Sequence, residues 1–311
     1  MVHIREVGPR DGFQNEPEVI AADDKVRLVE MLARTGLHRL EVTSFVRADV
    51  IPQLADGVEV LRRADIPDEV SVSVLIPNER GLENALEVRD RGPKHPARPG
   101  AQGTLFQEVN LFLSASETHN RKNVNRSIEE SLAGLERVIS RARAEGLRCE
   151  GVISVAFGCP YEGEVPPERV LEIARRLVEA GCEEIAFGDT TGMANPAQVR
   201  RFFDGLDLGV ELTAHFHNTR GQGLANAVAA LDAGISSFES SFGELGGCPV
   251  PKGATGNIAS EDLVSMLHEM GHETGIDLER LVACAREAQR VLGRPLGSHV
   301  LTAGPVDWHS G

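Results

Sequence analysis

No apolar run in this sequence approaches the ~20 residues that a membrane-spanning helix requires, so a transmembrane span is excluded. Basic charge is scarce too: 32 Lys and Arg stand against 47 Asp and Glu, a formal net charge of −15. Such a chain repels a phosphate backbone, which argues against nucleic-acid binding. Cysteine is sparse as well. Cys149, Cys159, Cys182, Cys248 and Cys284 form no CxxC pair, and their odd number and wide spacing suit neither a disulfide framework nor a zinc site. They read as reduced thiols, and the expected location is the cytoplasm. Residues 1–8 read directly as a strand, without the charged region and long apolar stretch of a signal peptide. Ser310 and Gly311 carry no address tag.

What is present is a globular composition, 41% hydrophobic and 25% charged, over 311 residues, enough to bury a substantial core. β-branched and apolar runs recur at about 2–8, 39–45, 70–77, 108–116, 149–158, 184–190, 211–218 and 237–243, with helical spacing between them. Eight such runs separated by helices, in a chain slightly above ~250 residues, favour a closed α/β TIM (β/α)8 barrel over an open sheet. Ser127 with Glu130 forms a capping box before an apolar face of Ile128, Leu132, Leu135 and Ile139. Pro166 and Pro167 suit a helix start, with Val170, Ile173 and Leu177 on one face and a stop at Gly181. Two additional C-terminal helices, about 261–270 and 277–292, are expected to pack outside the barrel. No composition shift marks a boundary, so 1–311 reads as one domain. The exception to the periodicity is 90–107, where Pro93, Pro96, Pro99 and several glycines form an irregular insertion on the barrel's N-terminal side.

Catalytic groups of such barrels sit at the C-terminal ends of strands, and several of those ends are polar here. Strand one runs into Arg10, Asp11, Gln14 and Asn15. The alternative is a capped turn in which Asp11 satisfies helix amides. Strand seven ends in His215-Phe216-His217, and the two-residue period puts both imidazoles on one side. Two inward histidines near carboxylate and amide oxygens suit a divalent cation with open positions, although a single histidine is more often structural. After strand eight comes a glycine-rich segment, 243–249, with Cys248 near its tip. Such a loop can close over substrate, and its thiol can serve as acid or base; the alternative is a surface turn with a spare thiol. Glu41 and Asp189 lie in apolar strands, where a carboxylate is costly unless paired, and they are candidates to hold Arg10 and a metal-bound histidine. Glu261 has an alternative role in a helix's first turn.

The ordered segments Glu6-Val7-Gly8-Pro9-Arg10-Asp11-Gly12, Glu41-Val42-Thr43-Ser44-Phe45, Ser114-Ala115-Ser116-Glu117, Gly158-Cys159-Pro160-Tyr161-Glu162-Gly163, Gly188-Asp189-Thr190, His215-Phe216-His217 and Leu245-Gly246-Gly247-Cys248-Pro249 resemble the 3-hydroxy-3-methylglutaryl-CoA lyase family. That family belongs to the metal-dependent TIM-barrel lyases and Claisen-type acyltransferases. The resemblance implies cleavage of an acyl-CoA substrate, with Asp11, His215, His217 and Asn257 binding Mg or Mn. It also implies that Arg10 steadies the enolate, that Cys248 moves protons, that Glu41, Asp189 and Glu261 support the site, and that Gln14 and Ser44 lie near substrate. A homodimer and a place in acyl-CoA metabolism such as leucine degradation are implied as well. The rivals are a Claisen-type acyltransferase and a non-catalytic barrel that binds CoA esters. Four departures bear on substrate: Phe13 and Val250 are expected to reshape the acyl pocket, Glu244 adds charge to the catalytic loop, and the 90–107 insertion is extra.

Overall fold

The computed structural model describes residues 1–89, 103–247 and 256–307, and at its centre eight parallel strands close into a barrel in chain order. They are β1 (His3–Glu6), β2 (Arg39–Ser44), β3 (Ser71–Leu75), β4 (Glu108–Ser114), β5 (Arg148–Ser154), β6 (Glu184–Asp189), β7 (Glu211–Phe216) and β8 (Ser237–Ser240). Pairing of β8 with β1 completes the ring. All eight expected runs are strands, and the barrel expectation holds. All eight runs overreached at their C-terminal ends, where the backbone leaves β geometry to build the mouth. β5 stops at Ser154 because Val155 takes φ 52°, a left-handed conformation that β-branched residues rarely adopt.

Helices cover the outside: α1 (Ala22–Leu32), α2 (Gly57–Arg63), α3 (Glu79–Arg89), α4 (Glu117–Val124), α5 (Ile128–Ala144), α6 (Pro167–Ala180), α7 (Pro196–Phe203), α8 (Gly223–Asp232), α9 (Ser260–Glu269), α10 (Leu278–Leu292) and α11 (His299–Ala303). The capping box of α5 is present, the Ser127 hydroxyl accepting from the Glu130 amide and the Glu130 carboxylate from the Ser127 amide. Its face of Leu132, Leu135, Val138 and Ile139 is buried, each side chain contributing about 2 kcal/mol. α6 starts at the proline pair and stops where Gly181 turns to φ 116°, which a side chain would resist. α9 and α10 match the two expected C-terminal helices within a residue, and α10 packs against α1. α11 is a short further helix that apolar spacing did not signal. Its N-terminus is secured by Ser298 and by Asp262, which accepts from the His299 and Val300 amides.

The layer between strands and helices is apolar. Phe157, Phe187, Phe202, Phe203 and Phe216 pack there with ring centroids 5.0–6.0 Å apart. The barrel's interior is different: Arg5, Arg39, Glu41, Ser73, Asn110, Glu150 and Glu239 surround a small internal cavity. Branched apolar residues usually fill that space. Of the insertion, residues 90–102 lie outside the described part, while Leu105 and Phe106 are buried as the chain enters β4. Cys149, Cys159, Cys182 and Cys284 are buried free thiols, and burial pushes Cys149 up to about 12. Among the described residues no helix is long and apolar enough to cross a membrane.

Candidate active site

The first turn after β1 is a π-helical turn, Gly8–Gly12, which seats Arg10 and Asp11 at the barrel mouth. Single π turns are uncommon and often mark functional positions. The turn is tied down from below by Glu6, whose carboxylate accepts from the Gly8 amide (2.7 Å), the Phe242 amide (3.1 Å) and the Ser260 hydroxyl (2.6 Å). Burial pushes the Glu6 carboxyl up to about 7 against these donors. Glu6 thus joins the ends of β1 and β8, a role the sequence reading did not assign to it.

Arg10 donates from Nε to Glu41 Oε2 (2.6 Å) and from Nη1 to Asp11 Oδ1 (2.7 Å). Burial alone would lower its pKa, but Glu41 and Asp11 outweigh burial and raise it, so the guanidinium stays charged. Glu41 is pushed up to about 7 by burial, with Arg10 opposing. Its second oxygen accepts from Asn110 Nδ2 at 2.9 Å, another contact invisible in the sequence. Expected pairing of Glu41 with Arg10 is therefore what the fold delivers.

His215 and His217 converge as period-two alternation requires. Their Nε2 atoms are 3.0 Å apart. One ligand atom from each of Asp11, His215 and His217 lies within 4.8 Å of the others. Two ligands at right angles on a cation at about 2.1 Å stand about 3 Å apart, so the imidazole spacing suits a shared ion. Burial works to raise the Asp11 pKa, but Arg10, His215 and His217 outweigh it and hold the carboxylate below its usual range. Asn257 bridges to His217 and donates from Nδ2 to Asp11 Oδ2 (2.8 Å) and to the Leu245 carbonyl (3.1 Å). Its buried Oδ1 has no hydrogen-bond partner, an acceptor left over beside the cluster. Gly246, at φ +87°, permits this closeness, because a Cβ there would come within 2.8 Å of Asn257 Nδ2. Donor types, convergence and the spare amide oxygen all fit a hard divalent cation.

Two expectations change, and a third, for Glu261, gains its geometry. The carboxylate on His215 is Glu239, with Oε2 2.7 Å from Nδ1, not Asp189. Asp189 is one residue out of register: it pairs with Phe216, whereas His215 pairs with Gly188 on that side. Asp189 Oδ1 instead accepts from the Met193 and Ala194 amides, its Oδ2 is buried without a partner, and burial pushes the carboxyl up to about 7. Phe13, expected to reshape an acyl pocket, is a buried core residue, edge-on to Phe242 at 5.9 Å. Glu261 is in the first turn of α9, yet its carboxylate reaches back to the Gly243 amide (3.0 Å), fastening the base of the glycine-rich loop; burial pushes it up to about 8.

Gln14 donates to Asp11 Oδ1 at 3.1 Å. Ser44 is buried with an unpartnered hydroxyl. A register irregularity between Glu41 and Thr43 leaves Thr43 against Gly57 of α2, so alternation resumes with Ser44 on the side of Glu41. Glu244 takes φ 61°, and its carboxylate lies over Gly297, where a Cβ would come within 2.8 Å. Cys248 and Val250 lie outside the described residues.

For His215, burial opposes charge, but the Glu239 hydrogen bond and Asp11 prevail and raise its pKa. Fold and site together define a (β/α)8-barrel protein with a candidate divalent-cation centre beside a fixed guanidinium at its mouth. The chain belongs to the HMGL-like family, whose model matches residues 1–287. It is 45% identical over 303 residues to the hydroxymethylglutaryl-CoA lyase YngG of Bacillus subtilis (strain 168), covering 96% of each chain. It is 41% identical to the mitochondrial hydroxymethylglutaryl-CoA lyase of Rattus norvegicus, covering 97% of this chain and 89% of that one. Among solved structures, the Bacillus subtilis HMG-CoA lyase superposes with a TM-score of 0.89 at 44% identity, covering 97% of both chains. An HMG-CoA lyase from Acinetobacter baumannii, solved in complex with coenzyme A and 3-methylmalate, superposes with a TM-score of 0.90 at 37% identity, covering 99% of this chain and 97% of that one.

Proposed function

We propose that this chain is a divalent-cation-dependent carbon–carbon lyase that cleaves 3-hydroxy-3-methylglutaryl-CoA, or a related 3-hydroxy-acyl-CoA, to acetyl-CoA and a keto acid, acetoacetate for the parent substrate. The observation that carries the reading is the convergence of Asp11, His215 and His217 next to Arg10. The curated relatives named for this reaction support it. So does the coenzyme A held by the Acinetobacter baumannii lyase.

Cleavage breaks the bond between C2 and C3. Its electron pair passes to the thioester as an enolate, the C3 hydroxyl loses its proton, and C3 becomes a ketone. Asp11, His215, His217 and Asn257 would hold the cation, Mg or Mn, which when bound supplies a Lewis acid for the substrate's hydroxyl and distal carboxylate. Arg10, held by Glu41, presents a charged planar donor to the enolate oxygen. Cys248 is the proton carrier of this reading, and Gln14 and Ser44 sit near the substrate. Asp189 and Glu261 support from behind, Glu261 by holding the loop's base. α4 follows β4 on the mouth side with Arg121 and Lys122 exposed, and Arg126 lies just beyond. They would offer basic ground to a coenzyme A diphosphate in a chain of charge −15, although Arg121 already pairs with Glu117. One barrel domain, a homodimeric assembly and a cytoplasmic location complete the proposal.

The test is mass spectrometry of products from purified protein given 3-hydroxy-3-methylglutaryl-CoA and Mg or Mn, with an EDTA control. Acetyl-CoA and acetoacetate that disappear with EDTA and in His217→Ala are expected. Product that persists in EDTA would sink the cation's role; cation-bound protein that leaves this ester intact would move the proposal to another 3-hydroxy-acyl-CoA.

A further inference from the structure

Among the described residues, Glu239 is a carboxylate of the barrel's interior that meets a histidine of the cluster, and no motif or spacing marks it. Its position follows from strand register. Glu239 on β8 pairs with His215 on β7 and with Arg5 on β1, so the three residues lie in one row across adjacent strands. On the far side of β7 the residue level with His215 is Gly188, which has no side chain to offer. Of the two strand neighbours level with His215, only Glu239 on β8 has a side chain to offer.

The contact is direct: Glu239 Oε2 lies 2.7 Å from His215 Nδ1. Arg5 does not take this carboxylate for itself, since its guanidinium is engaged by Glu150 at 2.5 Å and by Glu184. Glu239 is almost fully buried, and a buried carboxylate is expensive unless a donor meets it. An imidazole N–H is that donor. Neutral imidazole carries one proton, so a proton held on Nδ1 leaves the Nε2 lone pair free, and Nε2 is the atom that stands beside His217 and Asp11.

We propose that Glu239 is a positioning residue that fixes His215 as the Nδ1–H tautomer and aims its Nε2 lone pair into the cation site. The proposal rests on the reading of the cluster as a cation site. Carboxylates behind metal-bound histidines hold ring orientation and raise ligand basicity, and their loss costs about 10–100-fold in metal affinity. Exchange of the carboxylate for an amide keeps the shape but lets the NH2 group face Nδ1, which favours the wrong tautomer.

Two measurements test it. The first needs no variant: 15N chemical shifts of the imidazoles in the cation-free wild type, in alkaline buffer, with His215 assigned by comparison with His215→Gln. A shift pattern with the proton on Nδ1 is expected, and a proton resident on Nε2 overturns the proposal. The second is Mn binding followed by electron paramagnetic resonance for the wild type and Glu239→Gln, alongside thermal unfolding of both. Affinity about 10–100-fold weaker in Glu239→Gln, with the apo melting temperature little changed, is the expected result. Equal affinity overturns the role of Glu239 while leaving the cation site intact. Failure of the wild type to bind Mn overturns the cation reading and this proposal with it.

Discussion

The two ends of this barrel both bury charge, and they handle it differently. At the N-terminal floor, Arg39 bridges Glu184 (2.8 Å) and Glu108, Arg148 also meets Glu108, Arg5 meets Glu150 and Glu184, and Thr213 donates to Glu184 at 2.6 Å. These groups pair across neighbouring strands, although Arg5 Nε is buried without a hydrogen-bond partner. At the mouth, the pairs Arg10 with Glu41 and His215 with Glu239 leave acceptors over: Asn257 Oδ1, Asp189 Oδ2 and the Ser44 hydroxyl are buried without partners. Leftover polar atoms are costly in a finished core, and they recur where a ligand is to complete the set. Charge at the floor is paired across strands, and charge at the mouth converges on the candidate cation site.

The sharpest way to break that contrast is Arg10→Gln. It removes the donor for the enolate and leaves Glu41 without its cation. A fall in kcat of about 10²–10³ is expected from the loss of one such donor, with the folded state retained in thermal melts. Wild-type turnover would take Arg10 out of the chemistry. The floor should behave in the opposite way. Arg39→Met takes one of two cationic partners from each of the buried carboxylates Glu108 and Glu184, and a loss of about 1.5–3 kcal/mol in denaturant unfolding is expected with Mn affinity unchanged. If Arg39→Met instead weakened Mn binding while stability held, the two ends would not be separable.

A smaller effect sharpens the comparison at the loop base. Glu261 is held at about 8 by burial, above the 4.5 of an exposed glutamate. The folded state therefore binds this proton more tightly than the unfolded chain. Its contribution is full below about pH 4.5 and is lost as the pH rises through about 8. Glu261→Gln should remove up to about 1.4 kcal/mol per pH unit of that decline in urea titrations between those limits. An unchanged slope would mean that Glu261 stays ionised throughout, stabilised by the Gly243 amide.

Strand and helix positions were legible because each has a local cause. Ser127 with Glu130 caps a helix, Gly181 ends one, and His215 with His217 obeys the pleat. The pairing of Arg10 with Glu41 followed from the cost of a bare carboxylate in a strand. What could not be read was which strand neighbour stands level with which. Asp189 was the carboxylate expected behind a metal-bound histidine, yet a single-residue offset between β6 and β7 sends it to the Met193 and Ala194 amides. Phe13 looked like a pocket residue because it sits in the mouth's motif. The π turn carries Arg10 and Asp11 to the mouth while Phe13 goes into the core beside Phe242.

By itself, then, the sequence determined the eightfold alternation, the side on which a residue falls wherever a strand runs without a bulge, and the kinds of donor present near the strand ends, since all of these depend on periods of two and 3.6 residues along one chain. Tertiary structure alone decided that Glu239 backs His215, that Asn110 steadies Glu41, and that Glu6 ties the two closing strands together. Those contacts depend on the stagger between strands and on closure of the ring, quantities set by packing of the whole barrel rather than by any local run of residues.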